Sequence, residues 1–181
     1  MIVDKGGDIK FAAEKAAFGG FCNYGQTCVR PDYLLVDYTV VNEFMQHLKE
    51  CIDKFYQGGK DIRALGKVIN DFHNERLCAL LADHQGTVMY GNPNAHQDKN
   101  LLPTVILNPS PDSPLMQDEI FGPILPVITT KSYEEAQQFI LARDKPLAAY
   151  YFGKNSSYNK NLTEFKLRIS AGSMCVNDCL A

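Results

Sequence analysis

The sequence lacks the features that mark several specialised classes of protein. It has no tryptophan, no CxxC pair, no run of like charges, and no apolar stretch of the roughly 18 residues that a transmembrane helix needs. Its first residues are too few and too polar for a signal peptide, so we expect a soluble, cytoplasmic protein without a membrane segment. The formal charge of -3 comes from 18 basic and 21 acidic residues with no basic stripe, so nucleic acid and anionic membranes are not expected partners.

The cysteines and histidines form no pattern typical of a disulfide scaffold or a metal site. Six cysteines are spread along the 181 residues, at positions 22, 28, 51, 78, 175 and 179. This spacing is too sparse for a small disulfide-stabilised fold and favours a reducing compartment. The four histidines fall in separate segments, and the pair Cys175 and Cys179 has no second ligand pair, so no metal site is expected.

Helical and strand-like segments alternate along the chain. Apolar spacing predicts helices over 8–21, 39–56, 71–83, 132–143 and 157–167, and short apolar strands over 33–37, 102–107, 124–129, 148–152 and 172–176. Such alternation predicts an α/β three-layer domain with a largely parallel sheet flanked by helices. No repeat, low-complexity tract or linker divides the chain, so residues 1–181 are interpreted as one domain.

Individual residues suggest where some of these elements begin and end. We expect Gly58-Gly59 to end the second helix and Asp71 to cap the third, with Phe72 on its apolar side. Residues 91–99 have the composition of a loop. Pro126 is expected to make its strand irregular or place it near a sheet edge. Ser132 to Glu135 forms a capping box that opens the fourth helix.

Cys28 is the last residue of an octet, Phe21 to Cys28, that reads F-C-N-Y-G-Q-T-C and fits an open, reactive thiol. A thiol does covalent chemistry only where the backbone admits a substrate and the surroundings favour the thiolate. Gly25 and Thr27, just before it, are small enough to leave that approach free. The alternative is that Cys28 is simply a small hydrophobic residue of the core.

A second candidate motif lies further along the chain, within the segment Met116 to Ile124. Its central pentapeptide, Glu119 to Pro123, reads E-I-F-G-P. One interpretation is a tight Gly-Pro turn stabilised by a buried Phe121, with Glu119 facing water. The other is that the carboxylate and the ring contact a ligand.

Together the two segments resemble the aldehyde dehydrogenase family. The octet resembles the nucleophile segment of that family at Phe21, Asn23, Gly25, Gln26 and Cys28, and the pentapeptide matches its E-I-F-G-P signature. The resemblance covers essentially the whole chain and is closest to the class 3 and fatty aldehyde dehydrogenase branch. It implies the C-terminal catalytic domain, truncated at both ends, with the coenzyme-binding domain, the family's glutamate base and the oligomerisation arm absent.

The resemblance also implies a chemical role for three residues. Cys28 would attack an aldehyde to give a hemithioacetal and then a thioester, which water hydrolyses to the carboxylic acid. Glu119 would hydrogen-bond the nicotinamide ribose of NAD or NADP, and Phe121 would lie against the nicotinamide. The implied partners are an aldehyde substrate and either a coenzyme-domain partner or a second copy in a homo-oligomer.

Two other functions stay open from the sequence. The chain could be a non-catalytic relative of aldehyde dehydrogenases that serves as a structural or binding subunit of a larger assembly, because nothing in it can hold a whole dinucleotide. A cysteine hydrolase or acyl-transfer site is a weaker alternative, since no histidine sits in a recognisable partner motif. Labelling of Cys28 by a thiol reagent distinguishes an activated thiol from a structural one.

Overall fold

A seven-stranded sheet forms the middle layer of the computed structural model, which describes residues 1–57, 66–92, 96–97 and 100–180. In chain order the strands are β1 (Ile2–Val3), β2 (Leu34–Asp37), β3 (Thr87–Tyr90), β4 (His96–Gln97), β5 (Asn100–Leu101), β6 (Thr104–Leu107), β7 (Ile124–Thr130), β8 (Ala148–Phe152) and β9 (Ser173–Val176). The main sheet has the order β3-β6-β7-β2-β1-β8-β9, and β4 pairs with β5 separately. Every pairing in the main sheet is parallel except that of β3 with β6.

Helices cover both faces of this sheet. They are α1 (Ile9–Phe21), α2 (Val41–Tyr56), α3 (Asp71–Ala82), α4 (Tyr133–Leu141) and α5 (Lys160–Arg168). The first two share a buried cluster with alternate residues of the central strands, whereas α4 and α5 share another with the opposite residues of those strands. A third cluster joins α3 to Ile106 and Ile124, on the same side as α4 and α5. The predicted α/β three-layer fold with a largely parallel sheet is therefore confirmed.

Small residues let α1 pack tightly under the sheet. Its alanines at 12, 13, 16 and 17 are almost completely buried. A Cβ at Gly19 would lie 2.4 Å from the Cys179 sulfur, and one at Gly20 would lie 3.0 Å from the Leu125 side chain. Both glycines lie inside the helix rather than after it, so they serve close packing. This packing fixes the position at which α1 ends and the segment that carries Cys28 begins.

The expectation for Pro126 is wrong, because β7 lies between β6 and β2 inside the sheet. The carbonyl of Val127 accepts a hydrogen bond of 2.7 Å from Asn108 beside β6, so the neighbouring Pro126 turns its nitrogen toward β2. The pairing with β2 begins one residue later, at Leu34 opposite Val127. Pro126 therefore lies just before the pairing of β7 with β2 begins, so its missing N–H costs no hydrogen bond of that pairing and proline is tolerated in an interior strand.

Other local expectations are corrected around α3. The side chain of Asn70, not Asp71, caps this helix by accepting a hydrogen bond of 2.9 Å from the His73 backbone. Phe72 is 70% exposed and does not belong to the apolar side.

Within the segment 91–99, expected to be a loop, His96–Gln97 pairs as a short antiparallel strand with the residues that follow. The expected helix end at 58–59 lies outside the described residues.

The predicted capping box at the start of α4 is present with one change. Ser132 accepts a hydrogen bond of 3.3 Å from the backbone of Glu135, as the pattern predicts. The Glu135 carboxylate, however, accepts from the backbone N–H of Lys131, one residue before the cap. Both groups still satisfy amide donors at the helix start. None of the helices in the described part of the chain is long and apolar enough to cross a membrane.

Candidate active site

A groove of about 900 Å³ opens at the amino-terminal ends of the central parallel strands. Its walls come from residues within 28–33, 111–120 and 140–150, which precede or begin β2, β7 and β8. Ligands of open α/β sheets usually bind at the opposite, carboxyl edge. The groove therefore depends on the loops that lead into the strands, and two of these loops carry the sequence motifs.

The first loop carries Cys28 to the groove through a left-handed turn. After α1, a short 3-10 helix spans Cys22–Gly25, within which Asn23, Tyr24 and Gly25 have φ angles of 51°, 61° and 71°. The Asn23 amide donates to the Gln26 carbonyl at 2.8 Å and stabilises this unusual backbone locally. Cys28 follows as an exposed free thiol that lines the groove.

Side chains on either side of Cys28 attach its loop to the rest of the fold. The Gln26 amide donates to the carbonyl of Lys67 and accepts from the backbone of Ile69, both at 3.0 Å. On the other side, the hydroxyl of Tyr150 in β8 donates to the carbonyl of Val29 at 2.6 Å. The thiol is therefore presented by a segment that is held from both ends.

Arg30, a residue that sequence reasoning missed, is buried directly behind the loop. Its guanidinium donates to the carbonyls of Gly20, Gly122 and Ile124 at 3.0, 2.5 and 2.8 Å. It also lies 3.3 Å from the carboxylate of Asp32. Burial lowers the pKa of the guanidinium, and the neighbouring carboxylate opposes that shift. One buried cation thus joins the end of α1, just before the octet of Cys28, to the second candidate motif.

Two further residues hold the Glu119 to Pro123 segment. The Asp32 carboxylate accepts from the Ile120 backbone N–H at 3.2 and 3.3 Å. From α3, Arg76 donates to the carbonyl of Glu119 at 3.3 Å and to that of Ile120. These contacts fix the backbone of the segment while the Glu119 side chain stays exposed at the groove.

The electrostatics of Glu119 differ from those of an isolated surface carboxylate. Partial burial, first, and the nearby Asp32 carboxylate, second, raise the pKa of the Glu119 carboxyl group. The guanidinium groups of Arg30 and Arg76 pull in the other direction. The carboxylate therefore stands in a site where its negative charge is costly, as is typical of groups that bind a ligand.

The structure brings two of the three predicted site residues together. Cys28 and Glu119 line the same groove. Phe121 is half-buried, has a left-handed φ of 49°, and is not among the described residues that line the groove. The residues that were missed are Arg30, Asp32, Arg76 and Tyr150. Only Arg30 and Asp32 carry a local signal, because they are charged residues directly before a predicted strand that begins with apolar residues.

The described residues offer no alternative built around a metal or a disulfide. All six cysteines are free. Within the part of the chain that the structure describes, no group of three or more histidine, cysteine, aspartate or glutamate side chains could hold a metal ion. The groove itself is lined by the Cys28 thiol, by carboxylates that include Asp32 and Glu119, and by the buried Arg30.

Comparisons with known proteins identify one family. The family model described as "Aldehyde dehydrogenase family" matches residues 1–181. The chain is 38% identical over 179 residues to the dimeric NADP-preferring aldehyde dehydrogenase of Rattus norvegicus, covering 98% of this chain and 38% of that protein. It is 37% identical over 183 residues to the 4,4'-diaponeurosporen-aldehyde dehydrogenase of Staphylococcus aureus, covering 99% and 39%.

Solved structures extend the comparison to the fold. The substrate-bound state of Staphylococcus aureus AldH superposes with a TM-score of 0.89 at 37% identity, covering 99% of this chain and 39% of that one. The chain thus spans less than half the length of these relatives. Because the family model covers every residue and the sheet matches the same proteins, the chain belongs to the aldehyde dehydrogenase family.

Proposed function

We propose that this chain supplies the nucleophilic cysteine for NAD(P)-dependent oxidation of an aldehyde to a carboxylic acid. The observation that carries the proposal is that Cys28 and Glu119, from two motifs far apart in sequence, line one groove. Cys28 is exposed there, so an aldehyde can reach its sulfur. Membership of the aldehyde dehydrogenase family supports this chemistry over other uses of a reactive thiol.

The nicotinamide ribose of a dinucleotide fits the side of the groove that carries Glu119. The relative from Rattus norvegicus is NADP-preferring by name, and one structural neighbour is a dehydrogenase in complex with NAP. In this chain the exposed Glu119 carboxylate, held by the backbone contacts of Arg76 and Asp32, can accept a hydrogen bond from a ribose hydroxyl. Phe121, which the family resemblance assigns to the nicotinamide, is half-buried next to this segment.

The chain's own part in the reaction begins at the sulfur of Cys28. Its thiolate attacks the aldehyde carbon, and the C=O electron pair moves to the oxygen to give a hemithioacetal oxyanion. A bound nicotinamide would supply the acceptor for the hydride that leaves this carbon. Cys28 then carries a thioester, and hydrolysis by water releases the carboxylic acid and returns the thiol.

The held loop explains how the thiol meets its substrate in a fixed geometry. Gln26 and Tyr150 attach the loop at either side of Cys28, and the buried Arg30 attaches it from behind. Fixed placement of reacting groups is a major source of rate acceleration. These residues therefore orient the nucleophile without taking part in bond making.

The direct test follows the absorbance of reduced nicotinamide when the purified chain, combined with a coenzyme-domain partner, is mixed with an aldehyde and NAD or NADP. We expect a signal from the wild type and none from Cys28→Ser. Cys22→Ser is the matched control, because Cys22 is a half-buried free thiol of the same loop but does not line the groove. Loss of signal in both variants would argue against a specific role for Cys28.

A second measurement addresses the thiol without turnover. We expect iodoacetamide to alkylate Cys28 before Cys51 and Cys78, because burial raises the pKa of those two thiols and Cys28 is exposed. Peptide mass spectrometry gives the order. Equal rates for the three thiols, together with no reduced nicotinamide from either coenzyme, would overturn the proposal and favour a non-catalytic subunit.

A further inference from the structure

The buried Arg30 side chain contacts both loops that form the groove. We infer that Arg30 is a positioning residue: its guanidinium fixes the turn that carries Cys28 relative to the segment that carries Glu119. This inference rests on the proposed function for its consequence in catalysis. Its structural content, the coupling of two loops through one side chain, can be tested separately.

The first step of the argument is how many elements the guanidinium joins. Arg30 is only 5% exposed. One Nη donates to Gly20, in α1, and to Gly122, in the second motif. The other Nη donates to Ile124, where β7 begins, and lies 3.3 Å from Asp32. A single side chain therefore joins the helix before Cys28 to the motif that begins at Glu119.

The second step is that Arg30 belongs to the Cys28 turn itself. Its backbone N–H donates to the carbonyl of Thr27 at 3.1 Å, which closes the turn around Cys28 and Val29. Any shift of the guanidinium is thereby passed to the thiol two residues away. The Asp32 carboxylate adds a second link, because it contacts the guanidinium and also accepts from the Ile120 N–H.

The third step concerns the type of residue. Arginine offers five donors in a rigid planar fork, whereas lysine offers one compact ammonium group on a flexible stem. Lysine at position 30 keeps the positive charge beside Asp32 but cannot reach the carbonyls of Gly20, Gly122 and Ile124 together. Arg30→Lys therefore removes the coupling and leaves the charge, which separates positioning from electrostatics.

Hydrogen exchange measured by mass spectrometry tests the coupling directly on the full chain. In Arg30→Lys we expect amides within 20–32 and 117–126 to exchange about tenfold faster, the scale of losing one net hydrogen bond. Amides within 160–176, in α5 and β9, should be unchanged. The matched control is Arg168→Lys, because Arg168 is an exposed arginine that pairs with Glu164 on α5; we expect it to leave both groove segments unchanged.

The outcomes separate positioning from general stability. An equal rise over the whole chain, or no rise in 117–126, overturns the inference. If Arg30→Lys does not fold, Asp32→Ala takes its place, because it removes the acceptor of the Ile120 N–H and leaves the three guanidinium–carbonyl contacts. We expect Asp32→Ala to speed exchange within 117–126 more than within 160–176, and an equal rise in both segments again overturns the inference.

Steady-state kinetics give the readout for the reaction. In Arg30→Lys we expect kcat to fall up to about a hundredfold, the scale of a small misplacement of reacting groups, with KM for the aldehyde nearly unchanged. A fall in neither constant, with exchange altered as expected, would overturn the catalytic part of the inference. If the wild type forms no reduced nicotinamide even with a coenzyme-domain partner, the proposed function fails, whereas hydrogen exchange still decides the coupling.

Discussion

The hydroxyl of Tyr150 donates a 2.6 Å hydrogen bond to the backbone carbonyl of Val29, the residue after Cys28. Tyr150 lies in β8, and its side chain is only 4% exposed. A strand near one end of the sheet therefore supports the turn that presents the thiol. The nucleophile loop is supported by tertiary contacts as well as by its own left-handed backbone.

Tyr150→Phe removes this hydrogen bond and little else. We expect the free energy of unfolding to fall by about 1 kcal/mol, because the Val29 carbonyl loses its donor in a partly buried place. Urea denaturation followed by circular dichroism measures the change. Tyr158→Phe is the control, since Tyr158 is 96% exposed. The same small change in both variants would show that the Val29 contact adds nothing to stability.

Gly25→Ala should be among the most damaging small substitutions in the loop. An added Cβ would lie 2.1 Å from the Gly122 carbonyl oxygen and 2.5 Å from the Arg30 guanidinium, on a residue whose φ is +71°. Gly6→Ala is the matched control, because Gly6 has φ +82° and nothing within 4 Å of the added atom.

The comparison isolates the steric clash from the backbone strain. Gly6→Ala should cost about 1 kcal/mol of unfolding free energy for its left-handed backbone. Gly25→Ala should cost a further 1–3 kcal/mol or so, because the Gly122 carbonyl or the Arg30 guanidinium must move. Denaturant midpoints at equal slope measure both. Equal costs would mean that the two motifs do not touch at Gly25 in solution.

These contacts also show how much of the molecule the sequence could predict. The strand 148–152 and the Ser132 cap match the structure because both depend on neighbouring residues. The central strand Ile2–Val3 was not predicted, because two residues carry no periodicity. Arg30 could not be assigned either, since its acceptors come from segments about a hundred residues apart that only the fold brings together.

Alkaline pH should unfold the protein in one step, and its buried tyrosines should ionise in that same step. Burial, as the largest cause, raises the pKa of seven tyrosines above the ordinary value of 10.0, in the case of Tyr56 to about 12. They are Tyr24, Tyr33, Tyr56, Tyr90, Tyr133, Tyr150 and Tyr151. A folded pKa above the unfolded one means that the folded state holds the phenol proton more tightly. The stabilisation is complete below pH 10 and is lost as pH rises further.

Two absorbance measurements check this expectation. Tyrosinate formation should lag in the native protein and then rise steeply at the pH where circular dichroism shows unfolding. In denaturant, all the tyrosines should titrate together near pH 10. Gradual ionisation of the seven tyrosines near pH 10, with circular dichroism unchanged, would mean that their hydroxyl groups are not buried as the structure places them.

Glu119→Gln tests whether this carboxylate is kept for a ligand and not for stability. Partial burial and the Asp32 carboxylate raise the pKa of Glu119, so the folded state favours the protonated form and its charge is unfavourable at neutral pH. The variant should therefore be as stable as the wild type at pH 7, or slightly more so. Any difference should disappear as pH falls below 4.5, where the wild-type carboxyl group also becomes neutral.

NADP should bind more weakly to Glu119→Gln, although this variant is expected to be at least as stable as the wild type. A neutral amide oxygen is a weaker acceptor for a ribose hydroxyl than a carboxylate. We expect the affinity for NADP, measured by calorimetry on the chain combined with a coenzyme-domain partner, to fall about tenfold. Asp118→Asn is the control, because Asp118 lines the same groove and loses the same charge but has no role in the proposal. If Glu119→Gln lowers the stability of the protein but leaves its affinity for NADP unchanged, Glu119 is a structural residue. A carboxylate kept for a ligand gives the reverse result, because its removal weakens binding and does not destabilise the fold.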